Sequence, residues 1–266
     1  MKYFCLSFDL EEFDLPREYE IDISDDDMFK ISLEGTKRVL DLVKKHSIKA
    51  TFFVTTGFCK KYPALIKSLS KVHEVACHGE HGKDYSKMEK NEAAKSIKQN
   101  KLLLEKVIKK KVTGFRAPRM SSPDYELLKK VGFEYDASLH PTYVPGRYNN
   151  LLKPRKIFNE NGMIIIPTSV TPVVRAPITW LWFRNFGLAY AKTCTRLCLL
   201  TDPYVNIYFH PWEFVSLSEW DIPLMFKRNT GKAVYNKLDK YISWLIHKKV
   251  RFVTLNDLLK KFTKVF

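Results

Sequence analysis

The chain opens on an apolar run, residues 2–8, too short for a helix and consistent with a buried strand. Residues 32–46 then place Leu33, Val39, Leu40, Leu42 and Val43 at helical spacing. A second strand is predicted over 49–55, which is rich in β-branched and aromatic residues, and a second helix over 63–72, with proline at its start. The alternation continues with a strand over 72–77, a helix over 91–109, a strand over 112–116, a helix over 123–131 and a strand over 133–138. Strand–helix–strand repetition of this kind predicts an α/β fold with a parallel sheet.

The middle is less regular. Residues 141–177 hold several Pro, Gly and Asn residues around one apolar run, 163–166, and predict loops with a hairpin. Regularity returns with a helix over 185–200, a strand over 205–209, a helix over 232–248 and a strand over 251–254. A short final helix follows, for which Asn256 is the expected N-cap. No internal repeat, low-complexity segment or linker interrupts the 266 residues, so one domain over 1–266 is expected.

Composition narrows the class. A hydrophobic content of 45% supports a sizeable core and excludes a disordered chain. No segment approaches the roughly 18–20 apolar residues needed to span a bilayer. The apolar start is broken at once by Asp9, Glu11, Glu12 and Asp14, unlike a secretory leader. The expectation is a soluble, cytoplasmic protein. Five cysteines at irregular spacings argue against a disulfide framework, and Cys194 and Cys198 read as packed thiols, since no second ligand pair lies near them. The net charge of +16 is concentrated in lysine runs at 44–45, 60–61, 109–111, 248–249 and 260–261. Most of these fall at predicted helix C-termini, where cations complement the helix dipole. The same surface would also attract an anionic membrane or a lipid-linked, phosphate-bearing substrate. No recognised nucleic-acid-binding motif is present, so nucleic acid is not an expected partner. The sequence gives no oligomeric state.

Four segments carry candidate chemistry, and each comes where a predicted strand ends, the reactive face of a parallel barrel. In Ser7-Phe8-Asp9-Leu10-Glu11-Glu12, strand alternation points Asp9 and Glu11 to the same side. One carboxylate can then hold a cation while the other acts as a base. Ala76-Cys77-His78-Gly79-Glu80-His81-Gly82 offers two imidazoles suited to a transition metal. In Phe115-Arg116-Ala117-Pro118-Arg119, Arg116 can orient a carboxylate through charge-assisted hydrogen bonds. Tyr208-Phe209-His210-Pro211-Trp212-Glu213 delivers a histidine fitted for acid catalysis and a tryptophan whose face suits a sugar ring.

In this order the segments resemble the polysaccharide deacetylases of the NodB-homology type, carbohydrate esterase family 4, in the branch that reads Phe-Asp-x-Glu. The resemblance runs from Lys2 to about Leu258. It implies a distorted (β/α)7 barrel, a TIM-like architecture, and a divalent metal, usually zinc. It also implies Asp9 as catalytic base steadied by Arg116, His210 as general acid, and Glu11, His78 and His81 as metal ligands. Arg119 and Trp212 are the expected substrate contacts. Three features depart from the pattern. The second metal histidine usually stands where Gly82 is, and His81 comes one residue early. Met120 replaces the glycine that usually ends the arginine motif. The Asp-rich motif that usually supports the acid is not found.

The implied reaction is hydrolysis of the acetamide of an N-acetylated sugar, with a nucleotide- or lipid-linked precursor the expected substrate. Two other functions fit the same motifs: hydrolysis of another small linear or cyclic amide, and carbohydrate binding by a degraded, inactive deacetylase.

Overall fold

Alternation along the chain builds a curled, mostly parallel sheet wrapped by helices. The computed structural model describes residues 1–262. Its first half contains β1 (Tyr3–Leu10), α1 (Asp25–Lys45), β2 (Thr51–Val54), α2 (Thr56–Lys61), α3 (Pro63–Leu69), β3 (Glu74–Cys77), α4 (Lys90–Ile108), β4 (Gly114–Phe115), α5 (Tyr125–Val131) and β5 (Tyr135–Asp136). A small hairpin, β6 (Tyr143–Val144) with β7 (Tyr148–Asn149), and a second, β8 (Phe158–Glu160) with β9 (Met163–Ile165), fill the irregular middle. The chain then forms α6 (Trp180–Thr201), β10 (Tyr204–Phe209), α7 (Leu224–Lys227), α8 (Lys232–His247), β11 (Arg251–Phe252) and α9 (Leu255–Phe262).

The strand order is β10-β1-β2-β3-β4-β5-β9-β8, with β11 also pairing β1. Every pairing along the path is parallel except β8 with β9. The gap between β9 and β10 is bridged outside any ladder: Ser169 N–H donates to Asn206 O, and the Asn206 amide donates to Pro167 O. Seven parallel strands thus line a distorted barrel, as the motifs implied.

The period of two sorts each strand onto two cores. Phe4, Leu6, Phe8 and Leu10 of β1 join the outer core with Val39, Ile66, Leu104 and Ile242 from the surrounding helices. Cys5 joins the inner core with Phe53, Ala76, Tyr135 and Ile164. At one end α9 covers the strand starts: Leu255 N–H donates to Thr51 Oγ1 and Asn256 N–H to Glu74 Oε2. The other end is left for chemistry. No described helix is long and apolar enough to cross a membrane.

Several element ends differ from the sequence expectation. Helix α1 starts at Asp25, not at 32, because Ser24 caps it and three aspartates occupy the first turn, where they complement the dipole. Helix α2 was not expected. Asn256 lies inside α9; the cap is Thr254, whose hydroxyl accepts from Asp257 N–H. The lysine runs do sit at helix ends, as in the last turns of α1, α2 and α9. All five cysteines are free and buried.

Candidate active site

Strand β1 delivers Ser7 and Asp9 to the barrel interior, and Glu11 follows one step beyond its end. Arg116, fully buried just after β4, is the hub. Its Nη1 donates to Asp9 Oδ1 at 2.6 Å and to Ser7 Oγ at 3.0 Å, while Nε donates to Ala137 O at 3.1 Å. The guanidinium lies 4.1 Å over the Phe53 ring and 5.0 Å over Tyr208. One oxygen of Asp9 is therefore fixed, and Oδ2 is turned toward His78, 4.0 Å from its Nε2. That pairing was read from the sequence.

His78 follows β3, and its Nδ1 meets Arg116 O at 2.8 Å. A carbonyl can only accept, so Nδ1 carries a proton. The other nitrogen, Nε2, lies 3.3 Å from Glu11 Oε2. A lone pair and a carboxylate repel at that distance, so a positive charge belongs between them, either a proton on Nε2 or a bound cation. Burial pushes the Glu11 carboxyl up, but the His78 hydrogen bond and the charges of His210, His78 and His81 outweigh it and hold the group at about 2.

The structure does not bring His81 to this pair. Gly79 adopts φ +66°, and a Cβ there would meet the Tyr85 ring at 2.6 Å, so the tight turn after His78 requires glycine. Beyond the turn the His81 ring pairs with other carboxylates, Nε2 lying 2.8 Å from Asp14 Oδ2 and Nδ1 3.7 Å from Glu12 Oε2. Burial opposes the imidazolium, but contact with Asp14 and the charges of Glu11, Asp14 and Glu12 raise it to about 9. With its nitrogens turned to Asp14 and Glu12, His81 stands in this structure as an ion-pair partner. Among the described residues no group of three or more His, Cys, Asp or Glu is arranged to hold an ion. The donor chemistry of Glu11 and His78, a carboxylate oxygen and an imidazole nitrogen 3.3 Å apart, fits two ligands of a cation.

His210 stands at the end of β10. Its ring is stacked on Trp212, with centroids 4.7 Å apart and planes 14° apart, and Trp180 packs edge-on at 4.8 Å. Trp212 is 5% exposed, and Phe13 packs against it at 5.3 Å. Its ring orients the histidine and reaches the cleft only over a small area. Arg119 does line the cleft, half-exposed, and pairs with Glu18 at 2.8 Å. Arg119 and Met120 both adopt left-handed backbone, φ 55° and 62°. The family's glycine would occupy the Met120 position without strain.

Two groups that the motifs did not assign complete the histidine's setting. Glu213 Oε1 accepts from His210 N–H at 2.7 Å and lies 3.2 Å from His210 Nδ1. Its other oxygen is 2.6 Å from Nε of Arg184, a fully buried residue of α6. The missing acidic support for His210 is therefore Glu213, one turn along the same chain. Burial disfavours charge on His210, but the Glu213 hydrogen bond and the charges of Glu11, Glu213 and Asp9 raise its pKa. With Nδ1 held, Nε2 is free to exchange a proton in the cleft, 3.6 Å from Glu11 Oε1. Glu213 follows the His-Pro-Trp triplet directly and could have been found there; the Arg184 partnership is tertiary and leaves no motif.

The cleft, about 530 Å³, brings together Asp9, Glu11, His78 and His210, with Tyr148 and Trp182 among its walls. Tyr148 is anchored from behind by buried His140, whose Nδ1 lies 2.8 Å from the phenol oxygen. Burial, then the charge of Arg116, depresses the His140 imidazole to about 3, so it is neutral.

Residues 22–135 match the family model described as polysaccharide deacetylase. Peptidoglycan-N-acetylmuramic acid deacetylase PdaA from Bacillus subtilis (strain 168) is 46% identical over 50 residues, 18% of this chain and 19% of that protein. The chain thus matches about a fifth of this curated relative's length. Among solved structures, a Mycobacterium smegmatis protein described as a polysaccharide deacetylase superposes with a TM-score of 0.68 at 16% identity, covering 99% of this chain and 90% of that one. Puue allantoinase gives 0.68 at 16% identity, over 98% and 89%. A carbohydrate esterase family 4 pseudoenzyme from Bacillus anthracis gives 0.56 at 14% identity, over 97% and 66%. These likenesses show the NodB-like fold, and the family resemblance drawn from the motifs is borne out.

Proposed function

We propose that this chain, which resembles the polysaccharide deacetylases in sequence and fold, is a carbohydrate N-deacetylase working through an Asp9–His210 acid–base pair. The observation that carries this reading is the presence of two separately braced groups in one cleft, Asp9 held by Arg116 and His210 held by Glu213. Asp9 takes a proton from water as the water oxygen bonds to the acetyl carbon. His210 gives the proton on Nε2 to the sugar nitrogen as the C–N bond breaks, leaving acetate and an amine. Arg116 keeps Asp9 aimed, and the aromatic sandwich keeps the imidazole in line. Glu11 and His78 would hold a divalent ion, which supplies Lewis acidity toward the acetyl oxygen when bound. The test is acetate release from N-acetylated sugar nucleotides, lipid-linked sugars and chitin oligomers, with and without zinc. No release from any of them would refute the reading and favour a binding protein.

Two further results are expected. Glu213→Gln removes a charge that raises the His210 pKa, so the basic limb of the rate profile should move to lower pH, because a weaker imidazolium loses its proton sooner. An unmoved limb would show that Glu213 does not act through His210. In zinc titrations monitored calorimetrically, His78→Ala should lose at least about tenfold in affinity, the scale on which metal sites respond to lost support. His81→Ala should bind zinc like the parent, and a loss equal to that of His78→Ala would restore His81 as a ligand.

A further inference from the structure

Beside the cleft, on the side of α6 and α7, lies a second cavity of about 430 Å³, lined by Leu181, Trp182, Phe186, Leu224 and Met225, with Arg228. Leu181, Trp182 and Met225 also line the catalytic cleft, so the two cavities share a wall. Phe186 and Leu224 are each 65% exposed and Met225 is 50% exposed, a concentration of large apolar side chains that a soluble fold ordinarily covers.

The exposed groove is built, not frayed. Helix α6 is interrupted at Gly187, φ 86° and ψ −177°, which separates its first two turns from the rest. Those turns are then laced to the α7 segment. Arg184 Nη1 donates to Phe226 O at 3.0 Å and Arg228 O at 2.9 Å, and the Asn185 amide donates to Met225 O at 3.0 Å. The chain uses a buried arginine and an asparagine to hold an apolar surface open to solvent.

We infer that this groove takes the hydrocarbon tail of a lipid-linked acetamido sugar phosphate, with the sugar in the cleft and the phosphate toward Arg228. The inference rests on the deacetylase reading for the sugar alone. The shared residues Leu181, Trp182 and Met225 set the groove directly beside the cleft and tie it to the substrate. A glycan polymer leaving the cleft on this side would meet mostly Leu181, Phe186, Leu224 and Met225, which offer no hydrogen bonds to its hydroxyls, and the Asn185 amide beside them already donates to Leu181 O and Met225 O. A hydrocarbon tail gains roughly fourfold in affinity for each methylene it buries there. Charge agrees: Arg119 and Arg147, which line the cleft, are both paired with Glu18, whereas Arg228 has no carboxylate partner among the described residues.

The test compares acetate release from farnesyl-linked N-acetylglucosamine 1-phosphate with release from the unlipidated sugar phosphate, and measures binding of farnesyl phosphate, which has no acetamide. The lipid-linked substrate is expected to have a KM at least about tenfold lower, from burial of two or more methylenes. Phe186→Ser and Leu224→Ser, exposed positions that need not disturb folding, should erase most of that advantage and weaken farnesyl phosphate binding in parallel. Equal KM values with no farnesyl phosphate binding would overturn the groove while leaving the deacetylase reading intact. Farnesyl phosphate binding lost in both variants, without acetate release from any sugar, would keep the groove and sink the deacetylase. Binding to phosphatidylglycerol vesicles that depends on Phe186 and Leu224, with no affinity for monomeric farnesyl phosphate, would replace the tail by a membrane surface. A dimer in solution that Leu224→Ser dissociates, again without farnesyl phosphate binding, would replace it by a second copy of the chain.

Discussion

Asp9→Asn is expected to reduce acetate release by about 10²–10⁴-fold, the worth of one positioned proton-transfer group. The amide has nearly the shape of the carboxylate and can still accept from Arg116 Nη1, but it cannot take a proton from water. The structure adds a cost in stability. Arg116 is fully buried, and Asp9 is the carboxylate with which it pairs, at 2.6 Å. Removing a buried ion partner outright costs about 3–5 kcal/mol. Asparagine keeps the hydrogen bond and loses only the charge, so about 1–3 kcal/mol is expected. The variant should therefore be folded but melt earlier, as followed by circular dichroism. Rates are to be compared well below the lower melting temperature, so that lost chemistry is not confused with lost protein. Wild-type acetate release from a folded Asp9→Asn protein would remove Asp9 from the mechanism.

How much of this was legible without coordinates follows from the range of each interaction. The barrel was readable because alternation along a strand is local: Phe4, Leu6, Phe8 and Leu10 turn outward, while Ser7 and Asp9 turn inward. That Asp9 and Arg116 share one face was readable from their positions at predicted strand ends of one parallel sheet, despite 107 residues of separation, while their pairing was implied by the family resemblance. What was not legible was orientation beyond the strands. Two residues past His78 the chain has already turned through Gly79, so counting from His78 could not place the His81 ring. The stacking of Trp212 on His210 was not legible, because it is a matter of side-chain angle. Arg184 was invisible for another reason. It lies in a helix whose predicted start, residue 185, fell too late, since Gly187 weakens the helical pattern before the first two turns are counted.

His210→Ala should lose about 10²–10⁴-fold on acetamido sugars, and its dependence on the leaving group separates it from Asp9→Asn. An amine leaves poorly unless it is protonated as the C–N bond breaks. A phenolate such as 4-nitrophenolate leaves without that proton. If His210 supplies its Nε2 proton to the leaving group, His210→Ala should be spared on 4-nitrophenyl acetate, retaining most of the parental rate, while Asp9→Asn remains slow on both substrates because water must be deprotonated in each case. The structure favours a clean comparison. Glu213 keeps its ion pair with Arg184 and its hydrogen bond from the backbone N–H of residue 210, so truncation leaves no buried carboxylate without a partner. The space vacated lies between Trp212 and Trp180, and whether they close on it can be read from tryptophan fluorescence. Should His210→Ala lose equally on the ester and on the sugar amide, the imidazole would be acting on the attack step, and the acid role assigned to it would be wrong.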